Sequence, residues 1–149
     1  MGQRKILFRG KRIDNGKWAE GDLINNEGSV FIFISHGVKP NGFEYVKIGG
    51  ATVGYIVEVI PESVGQFTGL TDKNGVKIFE GDIVSFKRGI GNWTGKFMTT
   101  IHGVYWDEIV SRFSLGKEQE GIKFRSHPRY EYEVIGNIHD NPSKLCPEN

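Results

Sequence analysis

The sequence contains little cysteine, little proline and no long apolar run. Its single cysteine, Cys146, cannot form a disulfide within the chain and excludes a zinc site built from several thiolates. No stretch approaches the roughly 18 apolar residues that a membrane-spanning helix needs. The basic segment before residue 13 holds only Ile6, Leu7 and Phe8 as an apolar run, which is too short for a signal peptide. We therefore expect a cytoplasmic protein with no membrane partner.

An excess of charge of one sign is also absent. The 19 Lys and Arg residues nearly balance the 18 Asp and Glu residues, which leaves a net charge of +1. A nearly neutral chain has no overall attraction to nucleic acid or to an acidic ligand, so any such preference must come from a local cluster.

Glycine, by contrast, is abundant. The chain has 21 glycines in 149 residues, about twice the usual share. They follow no three-residue period, which excludes collagen, and the 10 Phe, 5 Tyr and 3 Trp residues exclude a disordered low-complexity segment. Few stretches of ten residues lack a glycine, and each glycine inside a helix would lower its stability by about 1 kcal/mol. We interpret the glycines as breaks between strands.

Short runs of β-branched and aromatic residues predict the strands. They cover residues 30–34, 55–60, 83–86, 104–106, 109–113 and 130–135. Short helical turns are expected at residues 61–64 and after Pro142. The chain length favours a single domain over residues 1–149. The prediction is a mostly β fold with short helical turns only.

Three Asn-Gly pairs predict tight hairpin turns, because both residues tolerate positive φ angles. They are Asn15-Gly16, Asn41-Gly42 and Asn74-Gly75. The first and the third open an internal repeat, in which residues 15–24 align with residues 74–84 with one residue inserted at Val76. The shared pattern is Asn-Gly, then Lys, then Glu-Gly-Asp and two aliphatic residues.

We interpret the two Glu-Gly-Asp motifs as turns that lead into strands, with a bent glycine and an aspartate that holds backbone N–H groups. The repeat implies two related half-units, about residues 5–62 and 63–142, assembled into a small SH3-like or mixed β-barrel. We predict that the glycines of the repeated turns are structurally irreplaceable. The residues of the turn motif are Gly16, Glu20, Gly21, Asp22, Gly75, Glu80, Gly81 and Asp82.

Motifs for catalysis are weak. The glycine-rich residues 49–54 lack the lysine of a phosphate-binding loop, and residues 89–95 miss the dinucleotide-binding spacing. Glu20 with Asp22, and Glu80 with Asp82, would suit acid–base work or cation binding as pairs, but turn chemistry explains them better. The histidines show no metal-ligand spacing; they are His36, His102, His127 and His139. We therefore predict no enzyme activity, no metal, no cofactor and no specific small-molecule ligand.

Two non-catalytic functions remain open. A glycine-rich β protein exposes strand edges, which favours a binding or self-assembly module that forms a homo-oligomer. The alternative is a nucleic-acid-binding protein that uses a basic and aromatic hairpin near residues 86–97. Its expected contacts are Lys87, Arg88, Trp93 and Lys96, with Phe86 and Phe97 beside them, and residues 125–130 repeat the mixture.

Several blocks of the sequence resemble the YopX family of phages and prophages. The most specific is VGQFTGLTDKNG at residues 64–75; the others are residues 6–12, 17–18, 21–22, 78–84 and 132–138. The resemblance extends from about residue 4 to about residue 145. It implies a mostly β protein of prophage origin in a bacterial host. It implies no biochemical activity and no catalytic or binding residues, because the family brings none that match positions here.

Overall fold

The computed structural model describes residues 2–35, 42–91, 95–116 and 122–145. These residues form strands joined by turns, with short 3-10 helical turns at Pro61–Ser63 and Pro142–Leu145. The predicted mostly β fold is confirmed, and both helical turns lie where the sequence places them. Within the described ranges, no helix has the length and apolar character required to cross a membrane.

The chain divides into two compact units, Met1–Phe67 and Thr68–Asn149. The first unit contains an antiparallel sheet with the strand order β4-β5-β3-β2-β1-β6. Its core consists of Ala19, Val30, Ile32, Val57 and Val59. The strands are β1 (Phe8–Lys11), β2 (Trp18–Asn26), β3 (Ser29–Ile34), β4 (Glu44–Ile48), β5 (Ala51–Val59) and β6 (Gly65–Thr71), of which β6 continues into the second unit.

The second unit contains a sheet with the order β11-β10-β9-β8-β12, and its strands are also antiparallel. Its core cluster contains Ile78, Val84, Phe86, Val104, Leu115 and Tyr132. The strands are β7 (Lys77–Phe79), β8 (Asp82–Ile90), β9 (Lys96–Asp107), β10 (Arg112–Leu115), β11 (Ile122–Lys123) and β12 (Tyr130–Asn137), with β7 beside β6.

Two expectations about the strands need correction. The expected closed barrel does not form among the described residues, because the strands arrange as open sheets with β4 at the end of one and β11 and β12 at the ends of the other. The expected strand at residues 109–113 begins only at Arg112. Ile109 and Val110 lie in a turn instead, because the Asp107 carboxylate accepts hydrogen bonds from both of their N–H groups, at 3.0 and 3.3 Å.

The two repeated Asn-Gly turns have similar conformations. Gly16 lies between β1 and β2 with φ of 69°, and Gly75 lies between β6 and β7 with φ of 79°. In the third pair, Gly42 has φ of 88°, whereas Asn41 is outside the described residues. The Asn-Gly pairs of the repeat therefore both form hairpin turns with a left-handed glycine.

The two Glu-Gly-Asp motifs, by contrast, have different surroundings. Gly81 has φ of 88° in the turn between β7 and β8, where the adjacent Asp82 carboxylate accepts the Phe79 N–H at 2.8 Å. Residues 20–22 instead lie inside β2 and not in a turn. At Gly21 a Cβ atom would come within 1.9 Å of the Phe33 carbonyl oxygen. Glycine is needed there because the backbone of β3 approaches too closely for a side chain.

The Asp72 carboxylate joins the turn before β7 to the outer edge of β12. Its Oδ1 atom accepts the N–H groups of Asn74 and Val76 at 2.8 and 2.9 Å, and its Oδ2 atom accepts the N–H of Val134 at 3.0 Å. The Lys73 N–H adds a bond to the Tyr132 carbonyl at 2.9 Å. Strand β12 lies at the edge of its sheet, and these bonds provide partners for backbone groups of β12 that would otherwise be unpaired.

Asp72 is ionised because its hydrogen bonds favour the charged form. Only 7% of the residue is exposed. Burial alone would raise the pKa of its carboxyl group, but the N–H groups of Val134, Val76 and Asn74 outweigh it and hold the pKa below the ordinary 3.8.

An aromatic cluster holds the segment before β12 against the sheet. The Tyr132 ring stacks on Phe86 at 5.0 Å and meets Phe124 edge-on at 5.0 Å. Its hydroxyl donates to the Arg125 carbonyl at 2.9 Å, and burial raises the pKa of that hydroxyl. These contacts fix residues 124 and 125 relative to β12 and thereby position the basic residues of this segment.

We expect Gly21→Ala to lower the free energy of unfolding by about 3 kcal/mol, because the added methyl group forces β3 away from β2. Gly28→Ala is the matched control, since Gly28 has φ of 96° but nothing near its Cβ position; it should cost about 1 kcal/mol. Urea denaturation measures both changes in the free energy of unfolding. Equal losses of stability in the two variants would contradict the close approach of β3 to β2.

We expect Asp72→Asn to lower the free energy of unfolding by about 2 kcal/mol at neutral pH, because the amide nitrogen cannot accept a backbone N–H. The lowered pKa gives the sign of the pH effect. The carboxylate stabilises the fold above its ordinary pKa of 3.8 and loses this effect as pH falls through the lower pKa of the folded state.

Urea denaturation between pH 7 and the acid limit of folding tests this dependence. The difference between wild type and Asp72→Asn should shrink on acidification below about pH 4. Asp14→Asn serves as the control, because Asp14 is an exposed carboxylate paired with Arg12 and such pairs contribute little. A constant difference between wild type and Asp72→Asn would contradict the role of the ionised carboxylate.

Candidate nucleic-acid interface

The acidic residues of the repeated motif do not form equivalent pairs. Glu20 and Asp22 are exposed on β2, whereas Asp82 is buried beneath the turn before β8. In the part of the chain that the structure describes, no group of three His, Cys, Asp or Glu side chains has the arrangement of a metal site. His36 and Cys146 lie outside the described residues.

The basic hairpin forms as strands β8 and β9, with Lys87 and Arg88 on β8 and Lys96 at the start of β9. Trp93 lies outside the described residues. Gly89 pairs with Phe97 across the hairpin. The Phe97 side chain is 58% exposed, and the Lys87 ammonium lies 4.7 Å from the centre of its ring. Phe97 thus presents an aromatic surface with a cation beside it.

A second cation reaches the same place from Arg129, the residue directly before β12. The Arg129 guanidinium lies 3.2 Å from the position that a Gly89 Cβ atom would occupy, and its Nη2 atom donates to the Gly91 carbonyl at 2.9 Å. Arg129 therefore lies over Gly89 on β8, and Gly89 is the residue directly opposite Phe97. We call Lys87, Phe97 and Arg129 the basic–aromatic surface.

The opposite face of the same sheet end is also basic. Arg88 is exposed and pairs with Tyr130 on β12. The Arg125 guanidinium lies 5.7 Å from the centre of the Tyr130 ring, and the His127 ring lies 4.6 Å from it. The Arg129 N–H donates to His127 Nδ1 at 3.1 Å. The structure therefore brings together two basic segments that are separated in the sequence.

Acidic residues offset part of this charge. Glu131 pairs directly with Lys87 across β8 and β12. Lys73 in turn contacts Glu133 at 2.9 Å and Glu131 at 3.8 Å, and the hydrogen bond to Glu133 raises the pKa of Lys73. Lys73 therefore balances part of the acidic charge of β12, and positive charge prevails towards the end of the sheet, where Arg88, Lys96 and Arg129 are exposed.

A pocket of about 180 Å³ lies next to this end of β12. Its wall includes His127, Tyr130 and Tyr132, and its polar side chains include Asp72, Lys73 and Glu131. The Asp72 carboxylate is occupied by three backbone N–H groups, and Lys73 is bound to the two glutamates. The Asp72 carboxylate therefore has a structural role in the wall of the pocket.

The sequence identifies this site only in part. Phe86 was expected beside the basic residues as a stacking surface, but it is 2% exposed and lies in the core, because it alternates with Lys87 to the other face of β8. The contact of Arg129 with Gly89 depends on strand register, which the sequence leaves open. The sequence feature that points to the part of the site contributed by Arg129 is the second basic segment, residues 125–130. The basic residues near the N-terminus belong to the first unit, where Arg12 binds Asp14 at 2.6 Å.

Comparisons with known proteins agree with the fold. The crystal structure of protein EF1440 from Enterococcus faecalis matches with a TM-score of 0.52 and 22% sequence identity, over 96% of this chain and 99% of that chain. At this identity the likeness shows the fold alone. A search of curated protein sequences gives no significant match. The model of the YopX protein family matches residues 7–146, which is nearly the whole chain. The chain therefore belongs to the YopX family.

Proposed function

We propose that this protein is a non-catalytic binding module whose ligand is single-stranded nucleic acid. The observation that carries the proposal is the basic–aromatic surface, in which Lys87 contacts the exposed Phe97 ring and Arg129 lies over Gly89, the residue that pairs with Phe97. A nucleic-acid ligand would fit the expected prophage origin and action in the bacterial cytoplasm.

The chemistry of this surface suits a single strand. An unpaired base can stack on the open face of Phe97, which is worth about 1–3 kcal/mol per base. Lys87 and Arg129 then lie within reach of the adjoining phosphates, and Arg88 and Lys96, on the other face of the sheet end, add to the positive potential around it. A duplex keeps its bases stacked on each other, so it would gain only the phosphate contacts. We therefore expect a preference for single strands.

Self-association at the edge of the first sheet has less support. Strand β4 ends that sheet, and its Tyr45 and Ile48 are 41% and 69% exposed. It is only five residues long, carries Lys47 and has an irregularity between Val46 and Lys47. Short length, lysine and bulges are the features by which proteins prevent edge strands from pairing. We therefore do not assign assembly to this edge.

Fluorescence anisotropy with a labelled thymidine oligonucleotide of about 16 nucleotides tests the proposal at low salt. We expect Phe97→Ala to weaken binding about tenfold through the lost stacking. Arg129→Glu should weaken binding and also reduce its salt dependence, because fewer counterions are released. Lys87→Glu with Arg88→Glu should abolish binding at micromolar protein.

Matched controls come from β4, where Tyr45→Ala removes an exposed aromatic ring and Lys47→Glu reverses an exposed charge. Neither should change the affinity by more than about twofold. Absence of binding at micromolar wild-type protein would reject the proposal. Equal weakening by Tyr45→Ala and Phe97→Ala would reject the assignment of the surface.

A further inference from the structure

The turn between β9 and β10 carries apolar residues that folding does not explain. Ile109 is 85% exposed and Val110 is 48% exposed, although turns usually contain glycine, asparagine or aspartate. We call residues 107–111 the hairpin tip. Both N–H groups of the apolar pair are held by Asp107, and Ser111 takes a left-handed φ of 50°. The tip therefore holds an apolar pair in a defined conformation at the surface.

The hairpin tip is complementary to the basic–aromatic surface in polarity and in charge. Phe97 and Ile101 lie on the same face of β9 and are both substantially exposed, so they offer an apolar contact for Ile109 and Val110. At the tip, the Asp107 carboxylate accepts the N–H groups of the apolar pair, whereas Glu108 is an exposed acid. Glu108 would face the cations of Lys87 and Arg129.

These two surfaces cannot meet within one chain. They lie at opposite ends of β9, which runs from Lys96 to Asp107 and is about 36 Å long at 3.3 Å per residue. A contact between them must therefore join two copies, head to tail. Such a contact is heterologous and extends into a ring or a filament rather than closing a two-fold dimer.

We propose that the hairpin tip of one copy docks on the basic–aromatic surface of a second copy. This inference rests on the surface assigned above for nucleic acid, but not on nucleic acid binding itself. A few side chains at a hairpin tip bury less than the roughly 1,000 Å² of a stable interface, so the association is weak. Because the tip and an oligonucleotide occupy the same cations, each displaces the other.

Light scattering and sedimentation of the full chain at increasing concentration, up to about 200 µM, test the docking. The mass should rise above the 16.8 kDa of one chain at low salt and return to it at high salt. Ile109→Ser and Glu108→Lys should each weaken the association at least about tenfold. Ile48→Ser, which removes an exposed apolar side chain from the first unit, should leave it unchanged.

A wild-type mass of one chain throughout would overturn the docking, and so would association that Ile109→Ser leaves unchanged. Binding to neutral lipid vesicles that Ile109→Ser abolishes, with a monomeric chain in solution, would assign the tip to a membrane and also overturn it. The oligonucleotide separates the two proposals. If wild-type assemblies form but the oligonucleotide neither binds the Ile109→Ser variant nor dissociates those assemblies, the nucleic-acid proposal fails and the docking proposal stands. If the oligonucleotide binds a chain that never assembles, only the docking proposal fails.

Discussion

The hydrogen bonds of one buried carboxylate position the edge strand of the second sheet and, with it, the end of that sheet that carries the basic–aromatic surface. Asp72 holds the turn before β7 and, through Val134, the outer edge of β12, 62 residues further along the chain. A neutral side chain would leave buried N–H groups without an acceptor, which costs more than a hydrogen bond normally contributes. With its edge fixed in this way, β12 cannot slide along β8, and a shift of one residue would turn every side chain of the strand to the opposite face.

The position of β12 in turn places Arg129 and Tyr130 at the end of the hairpin. The Arg129 guanidinium lies over Gly89, where a Cβ atom would approach it to 3.2 Å, and this places a second cation over the residue that pairs with Phe97. The surface thus depends on a register, a missing Cβ atom and an exposed ring rather than on any contiguous motif. The far end of β9 presents an apolar tip with an exposed acid, and the proposed contact between copies would join these two ends of the sheet.

Local sequence signals predict the strands well where β-branched residues run together, as at residues 30–34 and 55–60, and they predict the helical turns from Pro61 and Pro142. They fail at Ile109 and Val110, whose strand propensity is overridden by the Asp107 carboxylate. They also miss the reason for Gly21, which depends on the approach of Phe33 from another strand. At the candidate site, sequence reasoning identifies Lys87 and Lys96 but cannot place Arg129, because cross-strand register is a property of the folded sheet.

The proposed binding of single-stranded nucleic acid at the end of the second sheet can be tested by an NMR titration of isotopically labelled protein with an unlabelled thymidine oligonucleotide, because each backbone N–H reports on its own surroundings. We expect the chemical-shift changes to concentrate at residues 87–91, 95–99 and 125–131 and to leave the first unit unaffected. Changes centred on the first unit, or no changes at micromolar protein and low salt, would contradict it.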